Sequence, residues 1–449
     1  MELFHRHTGR KIALYFLITI LVGTVLLYLP ESSAGEPVSL VDALFTSTSA
    51  VCVTGLVVLD TGRDFSTFGQ VVILMLIQLG GLGIMVFATG LLLSVGTRLS
   101  LFQRLGVAHR LGTVSGISPG GLMKAVVAFT LFFEAIGFLA LFGLFVKDGF
   151  TTGDAAFHAV FHSISAFCNA GFSTFSTSLE HFSHNSAVIL TFSILIILGG
   201  LGFAVLWDVL AKVRSKKQRL SLHTKLCLSL TMTLLIAGTI LFLISERGNL
   251  LADRSLDYIL SNAFFQSVTC RTAGFNTLPQ TGLTETSLTA SMFLMFIGAS
   301  PGSTGGGIKV TTFAIVVLLA FHRFFGRKSV SAFKRSINSE SIIKALTVIL
   351  LASFFIAAVF ILLMYIEEKP VSYELSHGWF TRVLFETVSA FGTVGLSLGA
   401  TASLSGLGKL VLIVTMFSGR VGLLTLAFAL ARPSKKGEIV YLDEPVAVG

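Results

Sequence analysis

Apolar residues run along this chain in long blocks, separated by short polar stretches at regular intervals. Eight blocks approach or exceed the roughly 20 residues an α-helix needs to cross a bilayer. They lie at residues 12–29, 69–95, 122–146, 187–210, 226–245, 288–320, 342–366 and 408–431. Between the members of each successive pair lies a shorter semi-apolar segment, at 40–51, 154–167, 257–269 and 378–391. These four are too short to span and too apolar for an ordinary loop, which predicts re-entrant half-helices. Their starts carry helix signals: Ser39 with Asp42 and Thr151 with Asp154 fit a capping box, and Asp257 follows Ser255 in a first turn.

Each half-helix ends in a version of one motif: SAVCVTGL from Ser49, SAFCNAGF from Ser165, VTCRTAGF from Val268 and SAFGTVGL from Ser389. The seventh residue is always glycine (Gly55, Gly171, Gly274, Gly395), and a phenylalanine stands ten residues before it (Phe45, Phe161, Phe264, Phe385). The glycines are 116, 103 and 121 residues apart, so the chain reads as tandem repeats. The expected fold is an all-α membrane protein of four helix–pore-helix–helix repeats, with eight transmembrane helices and four re-entrant half-helices. The repeats cover residues 1–96, 97–217, 218–325 and 326–432, with a cytoplasmic tail at 433–449. Each unit crosses the membrane twice, so all copies start on the same side and are related by rotation about the membrane normal. That predicts a pseudo-fourfold arrangement around one pore.

Composition agrees with a multi-pass membrane protein: 53% of the 449 residues are hydrophobic and 12% are charged. The net charge of +9 does not point to nucleic acid, because the basic residues flank apolar spans instead of forming one patch. Arg6, Arg10 and Lys11, Arg98, Arg104 and Arg110, Lys212 to Arg219, and Arg323 to Arg335 all fall on one side, which the positive-inside rule makes cytoplasmic. Both termini are then cytoplasmic. The opposite side holds the motifs and most acids, among them Asp42, Asp60, Asp64, Asp148, Asp154, Glu180, Asp257, Glu367 and Glu386. The first apolar run imitates a signal peptide, but it is long for one and fills the first-helix place of its repeat, so it is read as a span. Three of the four cysteines, Cys52, Cys168 and Cys270, lie inside the motif. Without CxxC or metal-ligand spacing they read as small packing residues, the alternative being a metal site or disulfide.

The half-helices would aim their negative C-terminal ends at the middle of the membrane, which favours a cation there. A selective cation path needs backbone carbonyls turned to an axis to replace the hydration shell. Glycine allows the dihedrals this requires. Val53, Thr54 and Gly55, Asn169, Ala170 and Gly171, Thr272, Ala273 and Gly274, and Thr393, Val394 and Gly395 are the candidate filter. A single copy would read as a helix C-cap turn; four copies in phase favour the filter. A second repeated element follows: LGGLG at Leu79 and again at Leu198, IGASPGSTGGGIK from Ile297, and SGRVG from Ser418. In the first two the glycines read as close helix packing. The third cannot stay helical, because Gly298, Pro301, Gly302, Gly305, Gly306 and Gly307 crowd one turn after another. Gly298, Ala299, Ser300, Pro301, Gly302, Ser303, Thr304, Gly305, Gly306, Gly307 and Lys309 are therefore read as a mobile loop beneath the filter, the alternative being a static kink.

Arg420 takes the place of Gly81 and Gly200 in its copy. A charge inside a span costs at least ~2.5 kcal/mol, so it should face the interior and act there. At about 5 Å from a passing cation it would repel by roughly 3 kcal/mol at an effective dielectric near 20. The alternative is a buried pair with Glu134 or Asp208. Arg271, inside the third motif, is expected to point away from the axis and brace the turn through carbonyls or an outer carboxylate. His158 and His162 share a helix face, but no acid accompanies them as in HExxH, so they read as scaffold and not zinc ligands. GSTGGGIK is not a phosphate loop, since Ile308 separates Gly307 from Lys309 and no strand precedes it. No catalytic triad, nucleotide fold or carboxylate dyad is present, so the chain is not read as an enzyme.

With its four motif copies, VTCRTAGFN from Val268 and MFSGRVGLLTL from Met416, the chain resembles the Trk/Ktr/HKT superfamily of potassium transporters over essentially its whole length. The short N-terminus and the closing EIVYLDEPVAVG resemble the Ktr-type membrane subunit. That resemblance implies potassium uptake in a bacterial cell membrane, with glycine in all four filter quarters going with potassium preference and serine in the first marking sodium-preferring plant members. It places an intramembrane gating loop in the third repeat and Arg420 beside it at the constriction. It further implies a homodimer with one pore per protomer, tail residues 441–449 at the dimer interface, and sodium as an activator. A cytosolic octameric RCK ring binding ATP or ADP, or NAD(H), is the implied partner, alongside membrane lipid. No organic cofactor is expected in this chain. A secondary transporter of sodium or a small solute is the rival, but it should show inverted repeats and more membrane-embedded acids than Glu134.

Overall fold

The computed structural model describes residues 2–96, 119–215, 219–368 and 378–430. Arg98, Arg104, Arg110, Lys216, Lys217 and the 433–449 tail lie outside the described residues. Within them the protein is almost wholly helical; the strands form one two-stranded hairpin, β1 (Ser331–Ala332) with β2 (Arg335–Ser336).

Among the described residues five helices contain stretches long and apolar enough to span a membrane: α1 (Glu2–Tyr28), α3 (Thr67–Gly96), α4 (Pro119–Lys147), α8 (Leu222–Ser245) and α12 (Ser339–Ile366). Each keeps an apolar face exposed, such as Leu14, Ile18 and Val25 on α1, or Leu350, Phe354 and Ile361 on α12. Exposed aliphatic stripes of this kind need a bilayer to cover them. The chain is a multi-pass membrane protein. α1 belongs to the packed body: Tyr15 Oη donates to Leu79 O at 2.9 Å, and Ile20 O accepts from Ser47 Oγ at 2.7 Å.

The four half-helices appear where the sequence puts them, as α2 (Leu40–Val51), α5 (Thr152–Phe167), α9 (Leu256–Thr269) and α13 (Trp379–Gly392). Ser39 and Thr151 accept from the amides of Asp42 and Asp154 at 3.1 and 3.2 Å, and their hydroxyls donate to those carboxylates at 2.8 Å. Ser255 caps α9 through the Tyr258 amide at 3.4 Å. The fourth half-helix starts differently, from Gly378 in the left-handed region without a side-chain cap.

The second helices of the later repeats depart from the expected continuous spans. The 187–210 block is two helices, α6 (Ser186–Leu201) and α7 (Phe203–Arg214), bent by 99°. The 408–431 block likewise divides into α15 (Gly406–Val421) and α16 (Leu423–Leu430), after the short turn α14 (Ala400–Ser403). Gly202 and Gly422 sit at the breaks with φ of 78° and 87°, which a helix cannot contain. The third repeat breaks where expected, between α10 (Glu285–Phe296) and α11 (Val310–Phe324).

Candidate functional site

The four motif segments meet in a closed ring. A Cβ added to Gly55 would lie 2.4 Å from Ala170 O, one on Gly171 2.8 Å from Ala273 O, one on Gly274 2.4 Å from Val394 O, and one on Gly395 2.3 Å from Thr54 O. The cyclic order is that of the chain, first to second to third to fourth and back to first. Val53, Thr54, Ala170, Thr272, Ala273, Thr393 and Val394 are fully buried and Asn169 nearly so. All twelve candidate filter residues are thus brought together.

The backbone of the ring is specialised. Besides the glycines, the fifth residue of each motif is left-handed: Val53, Asn169, Thr272 and Thr393 have φ of 55°, 60°, 70° and 49°. Non-glycine residues held there cost about 1–3 kcal/mol each unless their surroundings fix them. The surroundings do, through the hydroxyl at the start of the motif. Ser49 Oγ accepts from Gly55 N at 3.1 Å and donates to Leu56 O at 2.7 Å. Ser165 Oγ donates to Phe172 O at 2.8 Å, and Ser389 Oγ accepts from Gly395 N at 3.1 Å. In the third copy Val268 cannot do this, and the next residue, Thr269, bonds Phe275 O at 2.5 Å instead. These staples were missed from the sequence, although a serine six residues before the glycine recurs in three copies.

Below the ring, the second repeated element packs its first glycine against the end of a half-helix. A Cβ on Gly80, Gly199 or Gly419 would lie 2.0, 1.8 or 1.9 Å from the carbonyl of Val51, Phe167 or Phe391. That puts Gly81, Gly200 and Arg420 at equivalent places. In the third repeat the 298–309 loop folds under the ring, held by Gly298 N to Ile308 O at 2.8 Å and Ser300 N to Gly200 O at 3.0 Å. A Cβ on Gly305 would meet Thr272 Oγ1 at 2.2 Å and one on Gly306 would meet Thr393 Oγ1 at 2.1 Å. Asn169, with its carboxamide nitrogen facing the acceptors around it, reaches Thr304 Oγ1 at 3.2 Å. The loop therefore touches three of the four ring segments.

Two cations hold the loop through its carbonyls. Lys309 Nζ donates to Gly305 O at 2.6 Å. Arg420, 4% exposed, donates to Thr304 O and, at 3.1 Å, to Gly80 O. The alternative pairing of Arg420 with Glu134 or Asp208 is not what forms: Glu134 Oε2 accepts from Gln78 Nε2 at 3.0 Å, and Asp208 Oδ2 accepts from Ser221 N at 3.0 Å. Arg271 turns away from the ring to Thr231, the direction expected from the sequence.

The remaining candidates have structural roles. His162 Nε2 pairs with Ser173 Oγ at 2.9 Å and His158 Nδ1 with Thr174 Oγ1 at 2.7 Å. Among the described residues no group of three or more His, Cys, Asp or Glu could hold a metal ion. The four cysteines are free and buried, and Cys52, Cys168 and Cys270 are the C-caps of their half-helices. Glu386, counted with the outer acids from sequence, is 1% exposed and not available to solvent. Its carboxylate accepts from Ser397 Oγ at 2.6 Å and the Leu398 and Ala400 amides at 3.0 and 3.3 Å, fixing the chain that leaves the fourth segment. Glu180, outside the spans, accepts from Asn276 Nδ2 at 2.7 Å; partial burial pushes its carboxyl above the usual range, and that hydrogen bond opposes the shift.

Residues 5–438 match the TrkH family, described as a cation transport protein. The chain is 42% identical to Ktr system potassium uptake protein B of Vibrio alginolyticus, over 98% of this chain and 94% of that one. It is 39% identical to the potassium/sodium uptake protein NtpJ of Enterococcus hirae, over 98% and 96%. The crystal structure of the potassium transporter TrkH from Vibrio parahaemolyticus superposes with a TM-score of 0.70 at 23% identity, covering 93% of this chain and 84% of that one, a likeness of fold.

Proposed function

The chain belongs to the TrkH family of cation transport proteins, and from that membership we propose that it takes up potassium across a bacterial cell membrane. The observation that carries this reading is the closed ring of Gly55, Gly171, Gly274 and Gly395, each against the next segment's carbonyl. Four half-helices ending at one ring turn their negative ends toward it, and a dehydrated cation on the axis meets backbone oxygen in place of water. Four tandem repeats in pseudo-fourfold array, with the boundaries given above, account for the ring.

In this reading Val53 to Gly55, Asn169 to Gly171, Thr272 to Gly274 and Thr393 to Gly395 select the ion. The 298–309 loop and Arg420 form the gate. The loop lies directly against Thr272 and Thr393, so an ion leaving the ring inward meets the loop next. Arg420 both pins it and adds a positive charge on the way. Opening then means that the loop leaves the ring, at the cost of the Thr304 and Gly305 carbonyl bonds.

The termini are cytoplasmic, the protein is a homodimer, and the basic cytoplasmic segments receive a nucleotide-binding RCK ring. The likeness to a protein named as component B of a Ktr system supports a second component. Sodium acts as activator or as a second transported ion, a reading favoured by the relative named for potassium/sodium uptake. The test is rubidium-86 or potassium uptake in a potassium-auxotrophic host, with and without a co-expressed RCK subunit. Growth rescue and saturable uptake that potassium competes away are expected. Absence of rescue with the partner present, despite membrane expression, overturns the pore reading.

A further inference from the structure

Arg271 occupies the fourth position of the third motif, where the other copies have Cys52, Cys168 and Gly392. Its side chain is 7% exposed. The protein offers it little: one guanidinium nitrogen lies 3.5 Å from Thr231 O, another 3.3 Å from Thr231 Oγ1, and Nε has no partner. Among the described residues no carboxylate lies within ion-pair distance of it. A buried charge left this poorly matched is costly, because desolvation is not repaid by a counter-charge.

The same guanidinium lines a small cavity between the second and third repeats. Its walls are mostly apolar, with Ile196, Ile197, Leu235 and Val268 among them, and Thr231 and Ala299 also line it. The room inside suits one water-sized occupant, too little for an acyl chain or a phosphate. A water there would need acceptors for its own two hydrogens. Two lining side chains bring donors: Arg271 Nε–H, which has no partner, and the Thr231 hydroxyl, whose oxygen accepts from Arg271 and whose hydrogen has no acceptor among the described residues. Gly200 O is engaged by Ser300 N at 3.0 Å. A halide needs donors and tolerates apolar contact, and its charge balances the guanidinium.

We infer that the Arg271 cavity is a binding site for a small monovalent anion, chloride in the cell, held by Arg271 Nε and Thr231 Oγ1 behind the third ring segment. The site does not depend on which cation the ring selects. Its wall includes Ala299, so the bound anion also buttresses the 298–309 loop where Ser300 anchors to Gly200. No covalent step is involved; binding is reversible and electrostatic.

The test uses the purified full-length protein in detergent. Crystals grown in bromide are expected to show an anomalous peak within hydrogen-bonding distance of Arg271 Nε and Thr231 Oγ1. Replacing gluconate by chloride at constant potassium and ionic strength should raise the unfolding midpoint saturably. Arg271→Gln should abolish both responses. Should that variant fail to fold, Thr231→Val keeps the guanidinium and removes one donor, and should weaken chloride about tenfold, the value of one net hydrogen bond. A bromide-soaked crystal with no anomalous peak there, or with a water in both salts, overturns the proposal. So does an unfolding midpoint indifferent to chloride in the wild-type protein.

Discussion

Arg420 donates to the carbonyl oxygen of Thr304, a residue of a different repeat. The bond joins the fourth repeat's second helix to the 298–309 loop of the third, and the second Arg420 contact, to Gly80 O at 3.1 Å, reaches the first. The Thr304 side chain contacts Asn169 of the second repeat. One guanidinium and one loop residue thus connect chain segments associated with all four motif copies just below the ring. A planar fork of donors is suited to bridging two carbonyls at fixed separation.

Replacing Arg420 by alanine is therefore expected to raise rubidium flux into proteoliposomes. Losing charge-assisted buried hydrogen bonds is worth about 1.5–3 kcal/mol, which corresponds to roughly ten- to hundredfold in rate. Arg420→Lys, a point charge that cannot bridge both carbonyls, should fall between alanine and wild type. Deleting Gly302 to Gly306 should raise flux in the same direction by removing the part of the loop that packs under Thr272 and Thr393. Wild-type flux in both Arg420→Ala and the deletion would place the barrier elsewhere.

Gly55→Ser tests the ring. The added Cβ would come 2.4 Å from Ala170 O at a φ of 88°, so the first two segments must separate or the backbone must rotate. Either change moves one carbonyl layer while leaving the other three junctions in place. Selectivity for potassium over sodium in competition uptake should fall by about tenfold or more, the equivalent of ~1.4 kcal/mol. Unchanged discrimination would remove Gly55 from the selecting layer.

The glycines beneath the ring make a prediction about stability instead of selectivity. Alanine at Gly80, Gly199 or Gly419 would drive a methyl group to within 2.0, 1.8 or 1.9 Å of a half-helix carbonyl. Overpacking of this kind costs about 1–3 kcal/mol, and backbone on backbone contact leaves no flexible side chain to yield. Gly143, with nothing within 4 Å of its Cβ position, is the control: Gly143→Ala should be neutral or mildly stabilising. Thermal unfolding in detergent, read by size-exclusion recovery, separates the two groups.

Those glycines also mark how far the sequence could be read. The half-helices were legible because their caps are local: Ser39 with Asp42 and Thr151 with Asp154 need only three residues to declare themselves. The third-repeat loop was legible because six glycines and prolines in ten positions overwhelm helix propensity. The break at Gly202 was not legible. LGGLG is identical at Leu79 and Leu198, yet Gly83 remains helical beside the Tyr15 ring while Gly202 turns left-handed against Gly302 O, 2.7 Å from its Cβ position. What differs is the neighbour, a loop one hundred residues away, and no pentapeptide encodes that. Arg271 points away from the ring toward Thr231, as expected on electrostatic grounds. The burial of Glu386 was not legible, because no local pattern shows that two amides and neighbouring hydroxyls satisfy its carboxylate in the interior.

The last seam of the ring gives a prediction that separates closure from conduction. Lys409 at the start of α15 lies 2.6 Å from Asp42 at the start of α2, with the two side chains 15% and 18% exposed. This pair joins the fourth repeat to the first on the side of the half-helix N-termini, opposite the loop and Arg420 in depth. Asp42 also receives Ser39 Oγ on its second oxygen at 2.8 Å, so the carboxylate is held in place whether or not Lys409 is present. Being largely shielded from water and pre-oriented, the pair should couple more strongly than a typical surface ion pair, by about 1 kcal/mol. A double-mutant cycle of Lys409→Met and Asp42→Asn, read by thermal unfolding, should return a coupling of that size. Strictly additive effects would mean that the two charges contribute nothing to closing the first repeat against the fourth. Rubidium selectivity over sodium should stay at the wild-type value in either single variant, because the pair touches no residue of the Gly55 to Gly395 ring.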